Sequence, residues 1–81
     1  MNIKECVFSV VNKYNNFEIV LTMESNLFLD IGIDSLLFLE LICEIEEFFK
    51  IEIKIEEISQ CLIIGNLIKI VETKLKDVYN D

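Results

Sequence analysis

The stretch DIGIDSLLFLELICEIEEFF, residues 30–49, decides how the rest of the chain is read. Phe38, Leu41, Ile42, Ile45, Phe48 and Phe49 fall at helical spacing, so one face of an α-helix carries them all. Asp34 stands where such a helix needs an N-cap, and its charge suits the positive end of the helix dipole. Gly32 supplies backbone freedom just before it. The pattern therefore predicts a helix over Ser35–Phe49. Ser35 opens it, in a chain with no histidine to activate a hydroxyl.

Outward from that helix the same reasoning assigns the remaining elements. Ile3, Cys6, Val7, Val10, Val11 and Tyr14 make one helical face near the start, and Asn12, Lys13, Asn15 and Asn16 end it. Residues 17–33 form a long connection. Ile19, Leu21, Leu27, Leu29 and Ile31 are expected to pin it to the core, with a short helical turn near 18–23. After Phe49, KIEIKIEE alternates like a strand, but no other segment could pair with it. Residues 50–54 are therefore expected as an extended loop and 55–61 as a short helix. Leu67, Ile68, Val71, Leu75 and Val78 give the buried face of a last helix over Asn66–Tyr79, with Gly65 as the break and Asn66 as the cap. The expectation is an all-α fold: a small four-helix bundle, three main helices plus one short helix, with a long loop between helices 1 and 2. One domain over residues 1–81 accounts for the whole chain.

Composition narrows the function classes. The chain has 81 residues, 15 acidic and 7 basic, for a net charge of −8, and every basic residue is a scattered lysine. Binding nucleic acid requires clustered positive charge, so no nucleic-acid partner is expected. An acidic surface fits positively charged protein partners or simple solubility. The mean hydropathy of +0.48 is high, but charges interrupt every apolar run well before the ~18 residues of a membrane span. The first residues lack the apolar core and cleavage site of a signal peptide, so a soluble, cytoplasmic protein is expected. Cys6, Cys43 and Cys61 lie within apolar patterns and are expected as buried, reduced thiols; without histidine or a close cysteine pair, a zinc site is not expected.

Ser35 can do little alone. A serine hydroxyl needs a neighbouring base, usually histidine, before it is a useful nucleophile. IDSL has the look of a lipase serine motif, but those hydrolases need a histidine and an oxyanion hole on a larger scaffold. Lys50 and Lys54 belong to polar, exposed surroundings. A calcium loop fails on spacing: counted from Asp30, Gly32 is third and Leu41 twelfth, where an EF-hand needs glycine sixth and glutamate twelfth. What remains is a serine modified by another enzyme. A helix N-terminus suits a phosphate ester there, because its unpaired N–H groups and dipole favour negative charge.

Gly32-Ile33-Asp34-Ser35-Leu36 resembles the Gly-x-Asp-Ser-Leu turn that opens the long acidic helix of acyl carrier and peptidyl carrier proteins. The resemblance continues through Glu40-Leu41, Glu46-Glu47, Phe49 and Ile51-Glu52-Ile53. Upstream, Leu27-Phe28-Leu29-Asp30 is similar to the family's leader into the turn. It implies that Ser35 carries a 4′-phosphopantetheine arm, taken from coenzyme A by a phosphopantetheinyl transferase, with Asp34 assisting. The transferase would supply the activation that this chain lacks. The protein would then be a non-catalytic, monomeric carrier of thioesters, serving acyl- or aminoacyl-loading and condensing enzymes with basic docking surfaces.

Glu40, Glu44 and Glu47 follow helical spacing as an acidic strip, and Leu36, Leu39 and Cys43 form an apolar strip beside it. The resemblance places partner contacts at Leu36, Leu39, Glu40, Cys43 and Glu47. Leu37-Phe38 replaces a more polar pair of fatty-acid carriers, Lys54 a common proline, and Leu62-Ile63 frequent threonines. Ile33, where peptidyl carriers often have a second glycine, leans towards an acyl carrier of fatty-acid or polyketide type. A stand-alone peptidyl carrier of a nonribosomal pathway is the alternative, and a small helical interaction module without prosthetic group is a third.

Overall fold

The Ser35–Phe49 helix forms with the bounds its sequence pattern predicts, as α2 of a computed structural model that describes residues 2–79. Before it lies α1 (Ile3–Asn12), and after it α3 (Ile55–Ile58), a 3-10 turn (Ser59–Leu62) and α4 (Ile64–Tyr79). Among the described residues there is no strand; an isolated antiparallel bridge joins Asn26 to Ile63. The architecture is the expected all-α one, with three main helices, one short one, and a long loop between α1 and α2.

Each helix start has a physical cause. The Asn2 carboxamide accepts the Glu5 N–H at 2.8 Å, and the Asp34 carboxylate accepts the Leu37 N–H at 2.9 Å. At α3 the Glu57 carboxylate accepts the Lys54 N–H at 2.9 Å, a bond that a proline at this position could not donate. α2 ends on Lys50 in the left-handed conformation, φ 57°, with the Lys50 and Ile51 N–H groups both donated to the Glu46 carbonyl. The Glu46 carboxylate then accepts the Ile53 N–H at 2.8 Å, so one residue orders the extended link between α2 and α3.

α1 packs against α2 and α4, and the 3-10 turn packs on α4. The core between them contains Val7, Val10 and Val11 of α1, Phe38, Leu41, Ile42 and Ile45 of α2, and Ile64, Leu67, Ile68 and Val71 of α4. Leu27, Ile31 and Ile33 of the long loop, Ile53 of the link between α2 and α3, and Cys61 of the 3-10 turn complete it. Close-packed aliphatic burial of this kind is what holds short helices that would be marginal alone.

The structure corrects several expectations. Phe48 is 56% exposed and packs edge-on against half-buried Phe49, with ring centroids 4.9 Å apart. Leu29 is exposed and does not pin the loop, and residues 18–23 make no helical turn. Cys43 is exposed, unlike Cys6 and Cys61. α4 begins at Ile64, not Asn66, and Gly65 lies inside it. The cause is non-local: the Ile64 and Gly65 N–H groups are donated to the carbonyls of Ser25 (3.1 Å) and Met23 (2.8 Å). A Cβ at Gly65 would lie 2.9 Å from the Met23 carbonyl oxygen, so the glycine permits this close approach. Leu75 is half-buried, while the side chains of Val78 and Tyr79 lie outside the described residues.

Candidate functional site

The site is built from the last third of the long loop. Asn26 starts a tight turn in which its side-chain oxygen accepts the Phe28 and Leu29 N–H groups, each at 2.9 Å. Asp30 answers by accepting the Asn26 N–H at 2.7 Å, a reciprocal cap of the kind that begins helices. Asp30 and Ile31 donate to the Asn26 carbonyl, Gly32 to that of Phe28, and Ile33 to that of Leu27. Leu27 and Ile31 are fully buried and Ile33 nearly so, which roots the turn in the core. Edge-to-face packing of Phe28 on Phe38, with centroids 5.4 Å apart, joins the turn to α2.

Gly32 leaves that turn at φ +80°, where side-chain-bearing residues are strained. Its carbonyl accepts the Asn16 side-chain amide at 3.1 Å. The Phe17 ring lies over its Cα, since a Cβ there would meet Phe17 Cε2 at 2.6 Å. Asp34 follows in extended conformation as the N-cap, and Ser35 is the first helical residue. Ser35 is exposed, and among the described residues its hydroxyl has no hydrogen-bond partner.

Two features make this terminus fit a phosphate ester. The first N–H groups of a helix have no intrahelical acceptor, and here the Asp34 carboxylate satisfies that of Leu37 while those of Ser35 and Leu36 have no protein acceptor among the described residues. The outward position of Ser35 also leaves room for a bulky substituent. Self-contained catalysis does not fit. Lys50 lies at the opposite end of α2, about 20 Å away at 1.5 Å per residue, and Lys54 follows it along the chain. No cluster of three or more potential metal ligands occurs among the described residues.

The two strips of α2 reach different ends. Leu36 (75% exposed), Leu39, Glu40, Cys43 and Glu47 all face outward. Glu44 is instead held by the two residues that follow α1: Lys13 pairs with one carboxylate oxygen, and the Tyr14 hydroxyl donates to the other at 2.8 Å. Those two hydrogen bonds lower the Glu44 pKa from its ordinary value. Burial first, then the bond to Glu44, push the Tyr14 hydroxyl up to about 12. Sequence pattern alone did not single out Asn16, Phe17, Asn26 or the linking role of Glu46. Only Asn26-x-x-x-Asp30 carried a local signal, that of a capped turn.

A model of the phosphopantetheine attachment site matches residues 9–71, a span that includes the whole turn and Ser35. The chain is also 36% identical over 76 residues to the "Acyl carrier protein homolog" of Mycoplasmopsis pulmonis (strain UAB CTIP), covering 94% of this chain and 100% of that one. The chain belongs to the acyl carrier protein family. The domain of this family is the attachment site of the 4′-phosphopantetheine prosthetic group. Membership makes the protein a carrier that works with a phosphopantetheinyl transferase and biosynthetic enzymes. Among the described residues no helix is long and apolar enough to cross a membrane.

Proposed function

We propose that this chain is a single-domain, monomeric cytoplasmic acyl carrier whose arm is attached to Ser35, serving fatty-acid or polyketide-type synthesis. The observation that carries the reading is the exposed Ser35 hydroxyl, first in α2 behind a capping aspartate, in a chain without histidine. Ser35 Oγ forms a bond to the phosphorus nearest the pantetheine in coenzyme A, and the pyrophosphate P–O bond breaks. Adenosine 3′,5′-bisphosphate leaves, and the serine proton passes to a base on the transferase. Asp34 assists from the adjacent position. When attached, the arm supplies a terminal thiol that holds acyl groups as thioesters.

The chain's own contribution is to present that arm at high effective concentration to successive enzymes. Leu36, Leu39, Glu40, Cys43 and Glu47 form the outward face on which partners with basic surfaces dock. Glu44, engaged by Lys13 and Tyr14, contributes to the strip mainly by joining α2 to α1. The likeness to the Mycoplasmopsis acyl carrier protein homolog supports acyl over aminoacyl cargo. Incubation with coenzyme A and a broad-specificity transferase should add the mass of one phosphopantetheine, and Ser35→Ala should abolish the gain while far-UV dichroism stays helical. An unmodified wild-type chain, or a modified Ser35→Ala chain, would refute the assignment.

A further inference from the structure

The segment Asn15–Ile19 is built in a way that burial does not explain. The Asn15 side chain closes it at both ends, donating to the Ile19 carbonyl at 2.8 Å and accepting the Ile19 N–H at 3.3 Å. Inside this small loop Glu18 is held at φ +53°, the left-handed region that a glutamate rarely adopts. Phe17 is left 63% exposed, so its ring gains little from removal from water. The loop does accomplish one thing: it puts the Asn16 amide on the Gly32 carbonyl and the Phe17 ring on the Gly32 Cα. Gly32 precedes Ser35 by three positions, so the contact lies within about 11 Å of the serine along the chain. Local strain retained at an exposed loop points to a task for that loop.

We propose, resting on the carrier reading above, that the Asn15–Ile19 loop is a clamp on Gly32 that orients Ser35 for phosphopantetheine transfer, with Phe17 as its positioning residue. Ile33 anchors one side of the short Gly32–Ser35 path in the core, and the clamp fixes the other. Without the ring, the Gly32 peptide can rotate, and Ser35 Oγ samples orientations unsuited to attack on phosphorus. Misplacement on the ångström scale is enough to slow a displacement by one or two orders of magnitude.

Transferase kinetics on the full chain test this, with assays run well below each variant's melting temperature. Phe17→Ala should lower kcat about tenfold with KM within about twofold, Phe17→Tyr should restore the wild-type rate, and Val20→Ala, exposed nearby, should match wild type. In the same variants, amide exchange at Gly32 and Ile33, both hydrogen-bonded, should quicken about tenfold in Phe17→Ala alone. An unchanged kcat in Phe17→Ala, a rise in KM alone, a Phe17→Tyr as slow as Phe17→Ala, or unchanged exchange at these amides each overturns the clamp. A wild-type chain that takes no phosphopantetheine overturns the carrier assignment itself, a result distinct from all of these.

Discussion

Replacing Asp34 separates its capping of α2 from the proposed assistance to transfer, because Asn and Ala remove different things. The Asp34 carboxylate accepts the Leu37 N–H at 2.9 Å and caps α2. Asp34→Ala deletes that cap, at a cost of about 1 kcal/mol. With 81 residues and ~2.1 cal/mol/K of unfolding entropy per residue, the entropy is ~0.17 kcal/mol/K, so Tm should fall by about 6 °C. Asp34→Asn keeps an oxygen that can cap and loses only the charge at the helix dipole, about 0.5 kcal/mol, for a fall of about 3 °C. Modification of Ser35 should rank the variants differently. If the carboxylate assists transfer, both lose it, and both should slow by at least about tenfold at a temperature where both are folded. Calorimetry gives the first ranking, and the time course of intact mass with coenzyme A and transferase gives the second. Asp34→Asn modified at the wild-type rate while Asp34→Ala is slow would refute a role for the carboxylate beyond capping.

The Glu44 junction should be visible in pH titrations. Its pKa is lowered in the folded state, so its contribution is present above the ordinary value of 4.5 and lost as pH falls below it. Glu44→Gln should therefore cost about 0.5–1 kcal/mol at pH 7 by urea unfolding, and the difference from wild type should shrink in acid. Burial and the bond to Glu44 push the Tyr14 hydroxyl up to about 12, so ultraviolet titration of Glu44→Gln should show it ionising at lower pH than in wild type, with burial still raising it from 10.0. Lys50→Gly relieves the left-handed backbone at the end of α2 and should raise Tm by about 3–6 °C in a thermal melt. A thiol reagent should label Cys43 in the folded protein; Cys61, buried with its thiol pushed up to about 11, should react only on unfolding, as a timed mass measurement would show.

How much of this was legible depends on whether the cause was local. α2 was readable to the residue because its apolar spacing and its Asp34 cap lie within its own sequence. The start of α4 was not, because carbonyls about forty positions earlier receive its first N–H groups, and no pattern around Gly65 encodes that. Phe48 fits the helical stripe of α2, yet it lies at the edge of that face, 56% exposed, and its ring turns to Phe49 while Phe49 packs on the core. For the candidate serine, inventory alone removed self-contained catalysis, since the chain has no histidine, and the proposed attachment role came from the resemblance of Gly32–Leu36 to the carrier turn. Its supports were not: Asn16 and Phe17 reach Gly32 across 15 or so positions, and nothing periodic marks such a contact. Glu44 illustrates the limit of charge patterns, for spacing puts it in one strip with the exposed Glu40 and Glu47, and only the fold shows Lys13 and Tyr14 holding it.

Beyond capping α4, the Met23 and Ser25 carbonyls and the bond from the Leu27 N–H to the Leu62 carbonyl sew the loop to the far half of the chain. The scaffold under Ser35 is therefore a joint product of both halves, even though every residue of the signature turn is contiguous. A peptide of residues 26–49 would retain the motif and much of the helical tendency, yet it would lack residues 62–65 against which the turn is fastened. Such a fragment should be a far poorer acceptor than the full chain, and a truncation before α4 should impair Ser35 without touching its neighbours in sequence. For grafting or trimming this protein, the smallest useful unit is accordingly set by where the loop is stitched, not by where the motif stops.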